Sequence, residues 1–232
     1  MKINIMTIFP NMFDDFKRES LIGKAINRGI LEINIYNIRD YSKDAHKSVD
    51  DEVYGGGNGM LMMAQPIYDC YKAIMDGKSG INTYYMSPKG KKFDQDLAIE
   101  MSKEEEINIL CGHYEGVDER VLTLISAKEL SIGDYVLTGG EIPAMVVIDS
   151  ISRFVKGVLS NDESTSEESF RNNLLEYPQW TRPYEYEGLK VPDILLSGDH
   201  KKVRDFNLEK AIEVTKKNRP DLYEKYLKEL GG

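Results

Sequence analysis

The chain of 232 residues is poor in several things at once. It has two cysteines, Cys70 and Cys111, with no CxxC spacing. A disulfide framework and a cysteine-based zinc site are therefore not expected, and a reducing cytoplasm is the default compartment. Its three histidines, His46, His113 and His200, lie far apart and form no HExxH pattern. No run approaches the roughly 18 consecutive apolar residues of a membrane span. The start, MKINIMTIFP, alternates rather than running apolar and lacks a small-residue cleavage site, which makes it a poor signal peptide. Positive charge is also short: 30 Lys and Arg stand against 39 Asp and Glu, a net charge of −9. That argues against a protein that holds nucleic acid by overall basicity, though not against a local basic face. Internal repeats and low-complexity segments are missing too.

What is present is a globular composition, 41% hydrophobic and 30% charged, in a chain long enough to bury a core. Strand-like and helix-like segments alternate over the first two-thirds. Residues 2–9 put Ile3, Ile5 and Thr7 on one face of a strand. A helix is expected from Asn11, as N-cap, to Asn27, with Gly29 ending it. A strand at 31–38 leads into a long polar and glycine-rich loop, 39–64. Then come a helix from Pro66 to Met75, a strand at 82–87, a helix from Asp94, a strand at 107–111, a helix from Val117, a strand within Asp134–Leu137 and an apolar helix Ile142–Val155. This order predicts an α/β fold with a mostly parallel sheet. Residues 160–169 (SNDESTSEES) read as a linker. The stretch 171–232 reads as a small, mainly helical domain, helical from about Asn207. It holds 12 basic and 11 acidic residues, against 16 and 24 in residues 1–149, so it is the least acidic part of the chain. The predicted organisation is thus a domain over 1–159, a linker over 160–170 and a C-terminal domain over 171–232.

Four segments break the pattern. Tyr54–Gly59 (YGGGNG) holds four glycines in six residues, a backbone freedom that a flexible connector or a close approach to a ligand explains. It is neither a Walker A loop nor GxGxxG. Tyr85–Gly90 (YMSPKG), Cys111–Arg120 (CGHYEGVDER) and Ser131–Pro143 (SIGDYVLTGGEIP) each sit at the end of a predicted strand, where open α/β sheets bind ligands. Cys111 itself reads as a small buried residue rather than a nucleophile. Together the three loops compose a backbone-lined pocket that suits a flat, hydrogen-bonding ligand such as an adenine nucleoside. No lysine is placed to grip a phosphate, which favours a cofactor without phosphates over ATP or NAD.

The order YGGGxGM, SPxG, CGxYEGxDER, SIGDYVLTGGE(I/L)PA, LLEYPQWTRP and LLSGxH resembles the bacterial tRNA (guanine-N1-)-methyltransferases of the SPOUT class, over almost the full chain. The resemblance implies a deep trefoil knot in the α/β domain, which periodicity alone does not reveal. It implies transfer of the S-adenosyl-L-methionine methyl group to N1 of guanosine-37 in tRNA, preceded by a guanosine. By the same similarity the cofactor pocket comprises Tyr85, Met86, Ser87, Pro88, Gly112, Tyr114, Glu115, Ile132, Gly133, Tyr135, Leu137, Gly139, Gly140 and Pro143. The family's general base, an Asp in Asp-Ser-Phe, aligns with Glu168 in Glu168-Ser169-Phe170, a departure from the pattern, with Glu167 and Asp162 nearby as other carboxylates. The family's arginine aligns with Arg153. His46, preceded here by Ala45 where the family has Arg, and Asp50, Tyr54, Gly59 and Ser169 fall on positions that hold the flipped guanosine or its neighbour. Arg182, His200, Lys201, Lys202 and Arg204 read as contacts to the anticodon arm, and Trp180 as packing. The family also implies a homodimer with shared active sites, a magnesium requirement with no site assigned, no membrane association, and a cytoplasmic enzyme. Two other readings compete. One is a SPOUT enzyme acting on ribose or ribosomal RNA, which the linker carboxylate and the TRP…SGxH tail disfavour. The other is a noncatalytic nucleoside-binding module, which would not need every cofactor loop intact.

Overall fold

The computed structural model describes residues 1–57, 59–159 and 169–231, with Arg171 described by its backbone alone. The chain divides into two compact units, Met1–Ser160 and Asn161–Gly232.

The first unit is built on five parallel strands: β1 (Lys2–Thr7), β2 (Glu32–Asn37), β5 (Asn82–Lys92), β6 (Glu106–Cys111) and β7 (Lys128–Ser131). Their order across the sheet is β2-β1-β6-β5-β7. Parallel strands are covered on both faces, here by two apolar layers. On one face Ile3, Ile5, Ile107, Ile109 and Met86 pack with Ile22 and Ala25 of α2 (Ser20–Asn27), Met101 of α4 (Gln95–Met101), and Ala144, Val147, Ile148 and Ile151 of α6 (Glu141–Ser152). On the other, Met6, Tyr85 and Leu110 pack with Ile67, Cys70 and Ile74 of α3 (Ala64–Met75) and with Val121 and Leu122 of α5 (Glu119–Leu124).

A polar row crosses that second face. Asn34 Nδ2 donates to Asn4 Oδ1 at 3.3 Å, Asn4 Nδ2 to Asn108 Oδ1 at 3.0 Å, and Asn108 Nδ2 to Thr83 Oγ1 at 3.3 Å. These four residues stand opposite one another on β2, β1, β6 and β5. Asn4 and Asn108 are wholly buried. A one-residue slip of any strand turns its side chain to the opposite face and strands its neighbours' amides in the core, so the row fixes register.

Several sequence expectations need correction. The helix expected over 11–27 is a 3₁₀ turn (Pro10–Phe13), a short helix α1 (Asp14–Arg18) and α2, separated at Glu19, whose backbone is extended. Asn11 is inside the turn and caps nothing. The apolar period runs through the break because Phe13 and Ile22 fill the same core. Gly29 does end α2, with φ +69° just past its last turn. The region 39–64 is not all loop: β3 (Asp50–Glu52) and β4 (Met60–Met62) pair as an antiparallel hairpin. Asp134–Leu137 is not a strand. Tyr135 and Val136 are 55% and 85% exposed, and their strand-like composition lines a cleft instead. The strand here is β7, too short and half-polar to stand out.

The second unit contains a small hairpin of β8 (Glu185–Tyr186) and β9 (Leu189–Lys190), followed by α7 (His200–Asn218) and α8 (Pro220–Leu230). Helix α7 begins seven residues before the expected Asn207, because Asp199 caps it by accepting from the Lys201 and Lys202 amides. Thr215 is buried, donating to the Ala211 carbonyl at 2.7 Å and accepting from the Leu175 amide at 2.8 Å. Trp180 is 40% exposed and packs its ring 6.2 Å from that of Phe206.

Candidate active site

An irregular stretch of β5, where its pairing with β7 shifts between Met86 and Lys91, and the loops after β6 and β7 enclose a cleft of about 310 Å³; the strand expected to end at residue 87 in fact runs on to Lys92. All fourteen residues assigned above to the cofactor pocket line it. The geometry depends on two segments that cross without side chains between them. Gly140 donates its amide to the Gly112 carbonyl at 2.8 Å, and His113 bridges Gly139. A Cβ on Gly140 would fall 2.7 Å from Cys111 Cα, so the close approach requires glycine there. The turn between them holds Tyr114 at φ +56°, a left-handed conformation that costs a non-glycine residue energy and is typical of functional loops.

Beneath this floor Tyr85 is only 8% exposed. Its ring and hydroxyl lie against Gly112, where a Cβ would come within 2.8 Å. Burial pushes its phenol up to about 12, so it stays neutral. Its main service is to prop the 112–117 loop from below. Ser87 donates to Glu129 Oε2 at 2.6 Å and accepts from the Lys89 amide at 3.2 Å, which ties down the irregular stretch of β5 between Met86 and Lys91. Glu129, Glu119 and Lys89 also line the cleft, and sequence reasoning missed them. Glu129 lies on the strand that periodicity did not find; once β7 is placed, its position beside Ser87 follows from the register. Burial, with the Glu141 carboxylate nearby, holds the Cys111 thiol well above its ordinary range, so it is no nucleophile.

The glycine-rich segment is laced to the cleft through its hairpin. Glu115 donates to the Met60 carbonyl at 3.0 Å, Met62 to the Gly116 carbonyl at 3.0 Å, and Asp118 to the Met62 carbonyl at 2.9 Å. Gly59 is pressed against Glu115, whose Cγ lies 2.7 Å from where a Cβ would stand. Asp50 sits in β3 opposite Met62. His46 is exposed in a turn organised by Asp44, which accepts from the His46 and Ser48 amides. Tyr54 is 97% exposed and lines a different groove with Gly55, Gly56, Tyr68 and Arg120, so it is not brought to the cleft. Asp118 caps α5 and pairs with Arg120, whose guanidinium holds that carboxyl below its usual range.

Arg153 is half-buried at the C-terminal end of α6. Glu168, Glu167 and Asp162 lie outside the described residues. Ser169 accepts from the Glu176 amide at 2.9 Å. In the second unit Arg182, His200, Lys201, Lys202 and Arg204 are all exposed, and the last four occupy the first turns of α7. Among the described residues, no three or more His, Cys, Asp or Glu side chains are grouped to hold a metal ion, and no helix is long and apolar enough to cross a membrane.

A parallel α/β sheet with a backbone-lined cleft beyond its strand ends defines a protein that binds a small ligand at crossing loops. Comparison with known proteins narrows this. A family model, tRNA (Guanine-1)-methyltransferase TrmD, matches residues 1–225. A tRNA (guanine-N(1)-)-methyltransferase of Clostridioides difficile strain 630 is 54% identical over 227 residues, 97% of this chain and 98% of that protein. Enzymes of the same name from Ruminiclostridium cellulolyticum and Lachnospira eligens are 53% and 54% identical, each match covering 97% of the relative and 97% and 98% of this chain. The chain belongs to the tRNA (guanine-1)-methyltransferase family.

Proposed function

We propose that this chain transfers the methyl group of S-adenosyl-L-methionine to N1 of guanosine-37 in tRNA, beside the anticodon. The observation that carries the reading is the convergence of all fourteen expected cofactor positions on one cleft, in a chain of this family. The cleft fits an adenosyl group: it is lined by the glycines Gly112, Gly133, Gly139 and Gly140, which leave room for a flat ring, by the apolar side chains of Ile132 and Leu137, and by carboxylates at Glu115 and Glu129 for hydroxyl or ammonium groups. The direct contact of residues 112–113 with 139–140 supports the knot expected of the family.

S-adenosylmethionine supplies a methyl group already activated on a sulfonium. The acceptor is the harder half, because guanine N1 carries a proton at neutral pH. In this proposal Glu168 takes that proton as the N1–CH₃ bond forms and the C–S bond breaks, leaving a neutral thioether. Arg153 stabilises the negative charge that develops on O6. The cleft loops hold the methyl in line with N1. His46, Asp50, Tyr54, Gly59 and Ser169 hold the extruded guanosine and the guanosine before it. Arg182, His200, Lys201, Lys202 and Arg204 take the phosphates of the anticodon arm. The enzyme acts as a cytoplasmic homodimer, the linker and C-terminal residues of one subunit completing the site of the other. Magnesium is expected from the family resemblance.

The test is methyl incorporation from labelled S-adenosylmethionine into tRNA transcripts bearing guanosine or adenosine at position 37. Incorporation as 1-methylguanosine in the first alone is expected. Its absence from the guanosine transcript overturns the proposal.

A further inference from the structure

Glu141 is a carboxylate that the cleft does not need for contact with a ligand, yet it is 2% exposed. A buried carboxylate is costly unless it is hydrogen-bonded or held by a favourable field. Two features hold this one. It is the first residue of the 12-residue helix α6, where free amides and the helix dipole favour negative charge. Thr7, wholly buried at the end of β1, donates its hydroxyl to Glu141 Oε1 at 2.7 Å, and its own oxygen accepts from the Phe9 amide at 2.9 Å.

The other carboxylate oxygen faces the crossing of the two loops. A Cβ on Gly139 would stand 2.5 Å from Glu141 Oε2 and 2.7 Å from His113 Nδ1. The Gly139 backbone is thus gripped between a carboxylate and an imidazole. His113 Nδ1 is buried and finds no hydrogen-bond partner among the described residues. Like the Glu141 carboxylate, it abuts Gly139, a residue with no side chain. His113 is held from its other sides by the rings of Phe9, 4.8 Å away, and Tyr114, 5.0 Å away.

We propose that Glu141 is a positioning residue: anchored by Thr7, its carboxylate clamps Gly139 against His113 and so sets the floor of the cofactor cleft. It acts on the ligand through the 139–140 segment, whose Gly140 amide is tied to the Gly112 carbonyl. This rests on the reading of the cleft as the S-adenosylmethionine site. Loss of the clamp lets the crossing open and weakens adenosyl binding, while tRNA binding, which uses other residues, stays as it was.

The experiment is calorimetric titration of the full chain with S-adenosylhomocysteine, joined to steady-state KM values for cofactor and tRNA. Thr7→Val removes the donor while keeping the shape, and is expected to weaken binding and raise the cofactor KM about tenfold, the weight of one hydrogen bond to a charged group. The tRNA KM should change less than twofold. Thr7→Ser, which restores the hydroxyl, should bind as the unmodified protein does. Thr215→Val makes the same chemical change at a buried threonine of the second unit, and is expected to lower stability without moving either KM. Glu141→Gln should weaken binding too, and in the double variant with Thr7→Val the two losses should fall short of additive, because they break one interaction. Equal losses in cofactor and tRNA KM, or unaltered binding by folded Thr7→Val and Glu141→Gln proteins, overturn the clamp. Should Thr7→Val not fold, Glu141→Gln against Thr7→Ser decides alone. Failure of the unmodified protein to bind S-adenosylhomocysteine is a different result, which overturns the cofactor reading itself.

Discussion

The two units bury their chains very differently. Met1–Ser160 carries two apolar layers around a parallel sheet, with residues such as Ile3, Ile5, Ile107 and Leu110 wholly excluded from water. In the second unit the described core is slight, with Leu174, Ala211, Thr215 and Leu222 buried, while Tyr186, Leu189, Leu196 and Leu230 are each more than 60% exposed. The contrast matches a division of labour. A cleft for a small ligand must be held to a fraction of an ångström, which close-packed loops on a rigid sheet provide. A surface for a large, charged partner needs exposed basic and aromatic groups more than internal rigidity.

That contrast can be broken or sharpened by five measurements, beginning with the largest expected effect. The proposed base, Glu168, lies outside the described residues, between Leu159 and Ser169 in the chain. Glu168→Gln is expected to keep S-adenosylhomocysteine binding and to lower single-turnover methyl transfer by about 10²-fold or more. A near-normal rate moves the base to Glu167 or Asp162. Gly140→Ala forces a Cβ to 2.7 Å from the Cys111 backbone, and overpacking of that kind should weaken adenosyl binding by about 100-fold. Gly188→Ala, in the β8–β9 turn of the second unit, meets nothing within 4 Å but has φ +81°. It should cost about 1 kcal/mol of stability and leave the ligand unaffected. Asn108→Leu leaves buried Asn4 and Thr83 without their partner, a loss of about 1–3 kcal/mol that calorimetry reads as a lower transition temperature. An unmoved transition sinks the register role of the polar row.

The smallest effect is electrostatic. Asp69 in the first unit, held by the Lys72 ammonium and the Gln65 amide, and Asp221 in the second, held by Arg219, both have carboxyls lowered from the ordinary 3.8 to about 2. A carboxyl lowered on folding contributes stability above its ordinary value and loses it as pH falls toward the folded one. The melting difference between the unmodified protein and Asp69→Asn should therefore shrink between about pH 4 and pH 2, and salt should reduce it, since both partners reach solvent. A difference that grows on acidification contradicts the assignment.

The sheet was legible because isoleucines recur at every second position of β1 (Ile3, Ile5), β2 (Ile33, Ile35) and β6 (Ile107, Ile109), a strand signature. The four-residue β7, half-polar, does not carry one, and Glu129 was lost with it. Tyr135, Val136 and Leu137 misled because residues that line a cleft share the composition of residues that fill a strand. The helix break at Glu19 left no trace, since α1 and α2 serve one core. The cleft was legible as three glycine-bearing loops at strand ends, but its detailed membership came from family resemblance. Thr7 and Glu141 stand 134 positions apart in the chain, and no local pattern joins a strand's last residue to a helix's first across that distance. Only the crossing of the loops does so.

The most direct test of the account is a crystal structure of the protein soaked with S-adenosylhomocysteine. The adenosyl group is expected between residues 112–116 and 131–140, with the Gly139–Gly140 segment beneath it. Density for the ligand elsewhere, in the separate groove lined by Tyr54, Tyr68 and Arg120, contradicts the central claim.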